Sequence, residues 1–309
     1  MDAPEYSGAF FMAGCTTILQ QFNTAGIFTK PDCYVHLRNA RFRMKNILFL
    51  LFISTALFSC AQKTSSRPTR IMYSENVKDS FEVYIHAPAG SDTVKNLSVF
   101  YYLDANLKSG KKLRELIAQP EFSRKAGNTI FVGIGHIGNF HVLRRRDFIL
   151  PAINNGDTAG LSAEYGQIEH FYQFLKTELA PVINSTYHVQ AGNNSIMGHS
   201  LGGLFVFYCL FKNDTLFKNY YALSPSLWID NYSIYRFNHL PKDRKNKMNL
   251  YFSAGSLEIF NRIKAGTNEM EEFLRKKNYP FLDYKYQVHE GSTHNSQVEH
   301  SLDYILKQP

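Results

Sequence analysis

The chain has 309 residues, of which 44% are hydrophobic, 15% are aromatic and 19% are charged. This composition excludes a disordered polymer, a collagen-like repeat and a disulfide-rich miniprotein. The formal net charge is +8, but acidic residues are scattered among the basic ones, and the sequence contains no continuous basic stripe and no nucleic-acid-binding motif. We therefore expect a globular protein with a solvated charged surface and no nucleic-acid partner.

A short apolar segment near the amino terminus has the pattern of an export signal. A basic residue, Lys45, precedes the apolar run from Ile47 to Phe58, and small residues follow it. The run is shorter than the roughly 18 residues that a membrane-spanning helix needs, so residues 44–59 are predicted to be a cleaved signal peptide. Leu57-Phe-Ser-Cys60 resembles the lipobox of bacterial lipoproteins, in which the cysteine is acylated after cleavage. The alternative is an ordinary signal peptide in which Cys60 has no special role.

These features divide the chain into four parts. Residues 1–43 show no sustained periodicity, and a signal peptide begins at an initiator methionine, so we interpret Met44 as the true start and 1–43 as an upstream extension. Residues 60–70 are predicted to be a polar tether, and residues 71–309 the folded domain. The expected location is the bacterial cell envelope, in the periplasm or at the outer membrane, with the protein attached to a membrane by its lipid.

Strand-like and helix-like segments alternate after the tether. Leu97–Leu103 is almost entirely apolar or aromatic, which is typical of a strand buried on both faces, and Tyr165–Ile183 has apolar residues at helical spacing. The alternation predicts one α/β domain with a largely parallel central sheet and helices on both faces. The other predicted strands are Arg70–Ser74, Phe81–His86, Thr129–Gly133, Asn194–Met197, Tyr220–Leu223, Leu250–Ser253 and Tyr284–Val288, and the other predicted helices are Leu201–Phe211, Met270–Lys277 and Asn295–Lys307.

The segment Gly198-His-Ser-Leu-Gly202 matches the motif G-x-S-x-G. A predicted strand leads into it and an apolar helix leaves it, which is the setting of a nucleophile elbow. The glycines allow a tight turn that exposes the Ser200 hydroxyl, and the start of the helix supplies partial positive charge where an oxyanion forms. Ser200 is therefore the predicted nucleophile of a hydrolase.

A serine hydroxyl needs a base to become a strong nucleophile, and in this fold the partners follow in the order serine, acid, histidine. The preferred base is His294, which lies in the predicted turn between the last strand and the last helix; His289, at the end of that strand, is the alternative. The acid is expected after the penultimate predicted strand, where Glu258 follows a glycine turn. Asp230, one strand earlier, competes with Glu258 for this role.

Several longer matches carry a family resemblance, among them Tyr101-Tyr-Leu-Asp104, Gly198–Phe205, Ser224-Pro-Ser-Leu-Trp228 and Gly255-Ser-Leu-Glu258. The chain resembles the esterase branch of the α/β-hydrolases, which includes the ferric enterobactin (enterochelin) esterases. The resemblance implies the α/β-hydrolase fold, Ser200 as nucleophile and His294 as base.

The strand that ends at Leu103 is expected to lead into the oxyanion-binding loop. Relatives commonly carry Leu-Asp-Gly there, whereas this chain has Leu103-Asp-Ala-Asn106. In this fold one oxyanion donor is the backbone N–H of the residue after the nucleophile, here Leu201, and the other comes from this loop. We assign the second donor to Asn106, with Ala105 as the alternative.

Two further positions are candidates for substrate binding. The segment Arg144-Arg-Arg-Asp-Phe148 concentrates positive charge, and an arginine fork suits oxygen anions. Arg146 is therefore predicted to bind an anionic group of the substrate, although an ion pair with Asp147 explains it equally well. Trp228, the one tryptophan, either lines the pocket or packs in the interior.

The sequence thus predicts a serine carboxylester hydrolase that acts on a small-molecule ester. Candidate substrates are a siderophore trilactone or an acyl or feruloyl ester of a carbohydrate. No metal or organic cofactor is expected, since no cysteine and histidine cluster has metal-ligand spacing. The alternative is a non-catalytic lipoprotein that binds such compounds and retains the hydrolase fold.

Overall fold

A computed structural model describes residues 67–151, 165–259 and 262–306 of the protein. The predicted signal peptide, Cys60 and most of the tether lie outside the described residues. Residues from Gln62 to Pro309 form one compact unit, and its buried apolar residues extend from Val77 to Ile305. This unit therefore contains a complete core of its own. Within the described ranges, no helix combines the length and the apolar character needed to cross a membrane.

In the described part of the chain, eight strands form one sheet in the order β1-β2-β4-β3-β5-β6-β7-β8. Strands β3 to β8 are parallel to one another, while β2 is antiparallel to both β1 and β4. Strand β1 therefore runs in the same direction as the parallel set. The strands are β1 Arg70–Ser74, β2 Asp79–His86, β3 Ser98–Leu103, β4 Thr129–His136, β5 Ser195–His199, β6 Asn219–Leu223, β7 Met248–Gly255 and β8 Leu282–His289.

Helices cover both faces of this sheet, as expected for parallel strands joined by crossovers. One of them continues through a π-helical segment, Phe174–Leu179, and a short 3-10 helix lies at Ser233–Phe237. The α-helices are α1 Lys108–Ile117, α2 Pro120–Lys125, α3 Phe140–Phe148, α4 Ile168–Gln173, α5 Ala180–Thr186, α6 Leu201–Phe211, α7 Ile263–Lys277 and α8 Gln297–Ile305.

Burial along β3 shows how the sequence specifies a two-sided sheet. Val99 and Tyr101 belong to one apolar cluster, whereas Phe100 and Tyr102 belong to the cluster on the opposite face, and all four are buried. Successive side chains of a strand point to opposite faces, so an unbroken apolar run requires helices on both. The predicted fold class is thereby confirmed.

Helix α6 is the most deeply placed helix, with every residue after Leu201 buried. Its sequence is apolar all round, which is typical of an enclosed helix. Cys209 lies there, 1% exposed, and its burial raises the pKa of its thiol. The thiol therefore behaves as a small apolar group.

Gly203 lets helix α6 start close to the segment after β6, because a Cβ on Gly203 would lie 2.9 Å from the Pro225 Cα.

The helices that the sequence did not predict bury few of their residues. Helix α1 buries only Gly110, Leu113 and Ile117 among charged residues, and α3, which includes the arginine run, buries only Asp147 and Phe148. Helix α7 begins at Ile263 instead of Met270. Residues of low helix propensity occupy its first turns, and tertiary packing determines its start.

Parallel strands point their carboxyl ends to one edge of the sheet, which we call the carboxyl edge, and their amino ends to the other, the amino edge. Ser200 follows β5, Ser224 follows β6, Glu258 follows β7 and His294 follows β8. Ligand sites in open α/β sheets lie beyond the carboxyl ends of the strands. The topology therefore gathers the predicted catalytic residues at the carboxyl edge.

Candidate active site

Ser200 occupies a strained turn between β5 and α6. Its φ of 62° and ψ of −117° lie in a region that side chains other than glycine rarely adopt. The turn is so tight that a Cβ on Gly198 would lie 2.2 Å from the carbonyl oxygen of Gly202. Leu201 is the first residue of α6, so its N–H has no acceptor within the helix. The sequence therefore builds a sharp elbow that presents a hydroxyl beside an available backbone donor.

His294 and Glu258 are joined by a short hydrogen bond. The His294 Nδ1 lies 2.7 Å from Glu258 Oε1, and because an ionised carboxylate only accepts, Nδ1 is the protonated ring nitrogen. The Nε2 of His294 is then left to act as a base. Asp230, the alternative acid, is not among the hydrogen-bond partners of His294 in the described structure.

Glu258 is only 3% exposed, and further donors surround its carboxylate. The Ser224 hydroxyl lies 2.9 Å from Oε1 and 3.0 Å from Oε2, and the Gly255 N–H donates to Oε2 over 3.2 Å. Hydrogen bonds of this kind compensate a buried carboxylate for its lost hydration. The acid is thus fixed from three directions, and it orients the imidazole.

Ser200 and His294 face a common cleft of about 750 Å³ at the carboxyl edge. This volume lies within the range of roughly 300–1,000 Å³ that is usual for small-molecule sites. The lining combines apolar side chains with four basic and three acidic ones. The lining residues are Asp104, Leu107, Lys108, Ser109, Lys111, Lys112, Glu115, Phe140, Arg144, His199, Ser200, His294, Asn295, Val298 and Glu299.

His199, inside the elbow, supports the loop that carries His294. The two rings lie 4.4 Å apart between centroids, and His199 Nε2 lies 2.8 Å from the backbone carbonyl of His294. Burial, reinforced by the nearby His294, lowers the pKa of His199 to about 3. His199 is therefore neutral near pH 7, and its Nε2–H donates to that carbonyl. It fixes the loop as an uncharged hydrogen-bond donor.

The Ser200 hydroxyl contacts a second serine. The two hydroxyl oxygens of Ser200 and Ser226 lie 3.3 Å apart, and the Ser226 N–H also donates to the Ser200 carbonyl over 3.0 Å. No hydrogen bond joins Ser200 to His294 among the described residues. Catalytic hydrogen bonds often tighten only when substrate is bound, and a bond from Ser200 to His294 would require a rotation of the Ser200 side chain.

The loop after β3 offers one free backbone donor toward this site. The Ala105 N–H donates to the Ile134 carbonyl over 2.9 Å, and the Leu107 N–H donates to the backbone carbonyl of Asp104 over 2.8 Å. Among the described residues, the Asn106 N–H has no backbone acceptor. Its side chain donates to the His136 carbonyl over 2.7 Å, which fixes the loop. Of the two predicted positions, Asn106 and not Ala105 has its N–H available.

An arginine connects this loop to the elbow. Arg144 donates to both carboxylate oxygens of Asp104, over 2.8 and 2.9 Å, and to the His199 carbonyl over 3.2 Å. Asp104 is 2% exposed, and its φ of 57° lies in the left-handed region. The paired fork geometry restrains both groups. Within the arginine run, the sequence analysis favoured Arg146 and did not single out Arg144.

The predicted substrate contacts Arg146 and Trp228 do not line the cleft. Arg146 forms ion pairs with Asp147 at 2.7 Å and with Asp79 at 2.8 Å, which is the structural alternative that the sequence left open. Trp228 lies on the turn after β6, and its indole nitrogen is buried without a partner among the described residues. The alternative base also lies elsewhere: His289 Nε2 is 3.0 Å from the Ser301 hydroxyl.

The parallel sheet, the serine elbow, and the carboxylate and histidine that follow it in that order define an α/β-hydrolase of the serine esterase type. Comparison with protein families agrees, since residues 74–304 match the family described as "Putative esterase". The chain belongs to this family and is a carboxylic ester hydrolase.

Individual relatives are similar over most of the domain. The chain is 29% identical over 218 residues to a protein named ferri-bacillibactin esterase from Bacillus subtilis, which covers 67% of this chain and 75% of the relative. The crystal structure of a BES protein from Bacillus cereus matches with a TM-score of 0.65 and 27% identity, over 77% of this chain and 93% of that one. A siderophore hydrolase, EstA, from Aspergillus nidulans shares the fold, with a TM-score of 0.64, 20% identity, and coverage of 81% and 96%.

The elbow geometry generates a first prediction. Replacing Gly198 by alanine places a Cβ against the Gly202 carbonyl, so the backbone must shift, at a cost of about 1–3 kcal/mol of stability. We expect Gly198→Ala to lose at least about a hundredfold in hydrolysis of p-nitrophenyl acetate, because small displacements of reacting groups have effects of this size. Gly266→Ala is the matched control, since only the Tyr232 ring end lies within 3.4 Å of its Cβ. Full activity of Gly198→Ala would contradict this account of the elbow.

Proposed function

We propose that the protein hydrolyses siderophore esters by acyl transfer to Ser200, with His294 as the general base and Glu258 as the residue that orients it. The observation that carries the proposal is the 2.7 Å contact between His294 and the buried Glu258, in the cleft that also contains Ser200. Nucleophile, base and orienting acid are the three groups that serine catalysis needs.

The first step is acylation. The Ser200 side chain rotates from Ser226 toward His294, and its oxygen attacks the ester carbonyl while His294 Nε2 takes the proton. The positive charge that forms on His294 is stabilised by Glu258. His294 then gives the proton to the departing alkoxide, and the alcohol leaves.

The negative charge on the substrate oxygen is assigned to two backbone donors, the N–H groups of Leu201 and Asn106. Both are already oriented, since Leu201 begins α6 and the side chain of Asn106 is bound to the His136 carbonyl. Preoriented donors stabilise developing charge without reorganisation. Water, deprotonated by His294, then attacks the acyl-enzyme and releases the acid, so every step uses groups of this chain and water.

The lining of the cleft supports a siderophore ester as substrate. Lys108 and Lys111 are exposed, and within the described ranges neither forms an ion pair, whereas Lys112 is paired with Glu299 at 3.0 Å. Apolar side chains, among them Phe140, line the same cleft. An ester that combines aromatic rings with negative charge, as a ferric catecholate does, matches both features. The similar Bacillus subtilis protein bears the name of a siderophore esterase.

The proposal extends to location. Cys60, which lies outside the described residues, is the acylated cysteine, and the hydrolase stands in the bacterial cell envelope on a lipid anchor. The sequence pattern Leu57-Phe-Ser-Cys60 after a short apolar run supports this assignment.

The proposed roles predict a ranking of variants. Ser200→Ala and His294→Ala should each lower kcat by about 10⁴-fold or more, since the two act as one unit, and their double variant should be no worse. Glu258→Gln should lose less than either, because it orients the base without reacting. Hydrolysis of p-nitrophenyl acetate measures all three, and His289→Ala, matched in chemistry, should retain activity. If His289→Ala were inactive while His294→Ala remained active, His289 and not His294 would be the base.

A further prediction concerns charge selection in the cleft. The double variant Lys108→Gln/Lys111→Gln should lower kcat/KM for ferric enterobactin about tenfold, because two unpaired cations near an anionic substrate are lost. Its activity on neutral p-nitrophenyl acetate should be unchanged. Lys276→Gln/Lys277→Gln, on α7 away from the cleft, carries the same charge change as a control. Preferential hydrolysis of acetylated xylan or feruloyl sugars by the wild type would instead indicate a carbohydrate ester.

The proposed lipid anchor predicts that loss of Cys60 changes the phase into which the enzyme partitions but leaves its esterase activity unchanged. Several acyl chains, at about 0.8 kcal/mol per buried methylene, hold a protein firmly in a bilayer. In a bacterial host, Cys60→Ser should therefore move the enzyme from the detergent phase to the aqueous phase, while its esterase activity stays the same. Aqueous partitioning of the wild type as well would indicate a secreted esterase with an ordinary signal peptide.

A further inference from the structure

A second concave site lies at the amino edge of the sheet, opposite the active site. It has a volume of about 410 Å³ and is formed by the segments that lead into β5, β6 and β7. These strands are five to eight residues long, so about 15–25 Å of sheet separates this site from the catalytic cleft. It plays no part in the proposed hydrolysis.

Four cationic side chains line this site: Lys218, Arg244, Lys245 and Lys247. The remaining lining is neutral, and no carboxylate is among the described lining residues. We call these four residues the basic pocket. Lys245 and Lys247 are exposed, while Lys218 and Arg244 are half-buried. Like charges that converge in this way repel one another, and an anion bound between them relieves that repulsion.

The partners of Arg244 hold its guanidinium without neutralising it. It donates to the side-chain oxygen of Asn213 and, over 3.0 Å, to the backbone carbonyl of Asp214, and both acceptors are uncharged. The Asp214 carboxylate is paired with Lys176 at 2.7 Å. The arginine is therefore positioned in advance, with its charge still available to a ligand.

Nearby acids and helix ends do not account for Lys245 and Lys247. Lys247 approaches Asp283 only to 3.7 Å, and both side chains are about two-thirds exposed, so this contact contributes little. Lysines often accumulate at helix carboxyl termini because of the helix dipole. Lys245 and Lys247, however, lie in the coil between the 3-10 helix and β7. The dipole of a helix therefore does not explain their position.

The direction of β1 indicates what the basic pocket faces. Because β1 runs parallel to β5, β6 and β7, the chain before Arg70 reaches the sheet from the amino edge. An anchor at Cys60 is ten residues before Arg70, a length that spans at most about 36 Å. A tether of this length lets the amino edge reach the bilayer surface, and the inference rests on the lipid anchor proposed above.

We propose that the basic pocket binds the phosphate-bearing headgroups of an anionic lipid surface, and so orients the domain with its active site away from the membrane. Clusters of four or more lysine and arginine residues beside a bilayer favour anionic lipid, and each residue adds affinity. Headgroup phosphates match the arginine fork and the flanking lysines.

The test uses the compact unit from Gln62 to Pro309, so that neither a lipid nor the apolar signal segment contributes to binding. Flotation is measured with vesicles of phosphatidylcholine and with vesicles of equal parts phosphatidylcholine and phosphatidylglycerol. The wild type should float only with the anionic vesicles, and Lys218→Gln/Lys245→Gln/Lys247→Gln should bind them at least about tenfold more weakly. Melting temperature and p-nitrophenyl acetate hydrolysis should match the wild type, which shows that the variant folds.

The control variant Lys78→Gln/Arg145→Gln/Lys264→Gln removes the same net charge from the carboxyl edge, and it should float as the wild type does. Equal loss in both triple variants would show that net charge and not the pocket drives binding, and would overturn the proposal. If the wild-type unit fails to float with anionic vesicles, the proposal is also overturned. Calorimetry with inorganic phosphate separates the sources: saturable binding of phosphate alone, lost in the pocket variant and without flotation, would make this a soluble-anion site and refute a membrane role.

Discussion

The buried carboxylate of Glu258 is the constraint around which the carboxyl edge is organised. An ionised carboxylate removed from water costs several kcal/mol unless charged or hydrogen-bonding partners replace its hydration. Here the replacements come from three strands: the Ser224 hydroxyl after β6, the Gly255 N–H at the end of β7, and His294 after β8. Satisfying one side chain therefore fixes three loops at once.

Glycine makes this convergence sterically possible. A Cβ on Gly255 would lie 2.2 Å from the Ser292 carbonyl oxygen, so the loops after β7 and β8 touch only because that side chain is absent. On the other side of the cleft, the pairing of Arg144 with Asp104 connects the loop after β3 to the elbow. The two halves of the site are thus held by separate groups of polar contacts, and Ser200 lies between them.

A feature of the fold or of the site is predictable from the sequence when its signal lies within one short segment of the chain. The strands, the elbow and the order of the serine, acid and histidine candidates follow from apolar runs and short motifs, so the fold and the contact between Glu258 and His294 agree with expectation. Pairing across the chain carries no local signal. The sequence marked the arginine run as a whole, but only the fold determines that Arg144 turns toward Asp104 while Arg146 turns toward Asp79 and Asp147. For the same reason the motif Ser224-Pro-Ser226 was visible, whereas the separate contacts of its two hydroxyls were not.

The contact between Ser200 and Ser226 bears on the chemical selectivity of the enzyme. A nucleophile that points permanently at its base reacts with any electrophile that diffuses into the cleft, including compounds that inactivate it. A hydroxyl that first associates with a neutral neighbour gains its full reactivity only when a bound ester draws it toward the imidazole. Under the proposed mechanism, recognition and activation are then coupled in one bond rotation, which protects the hydroxyl from reactive compounds that do not bind as the ester does.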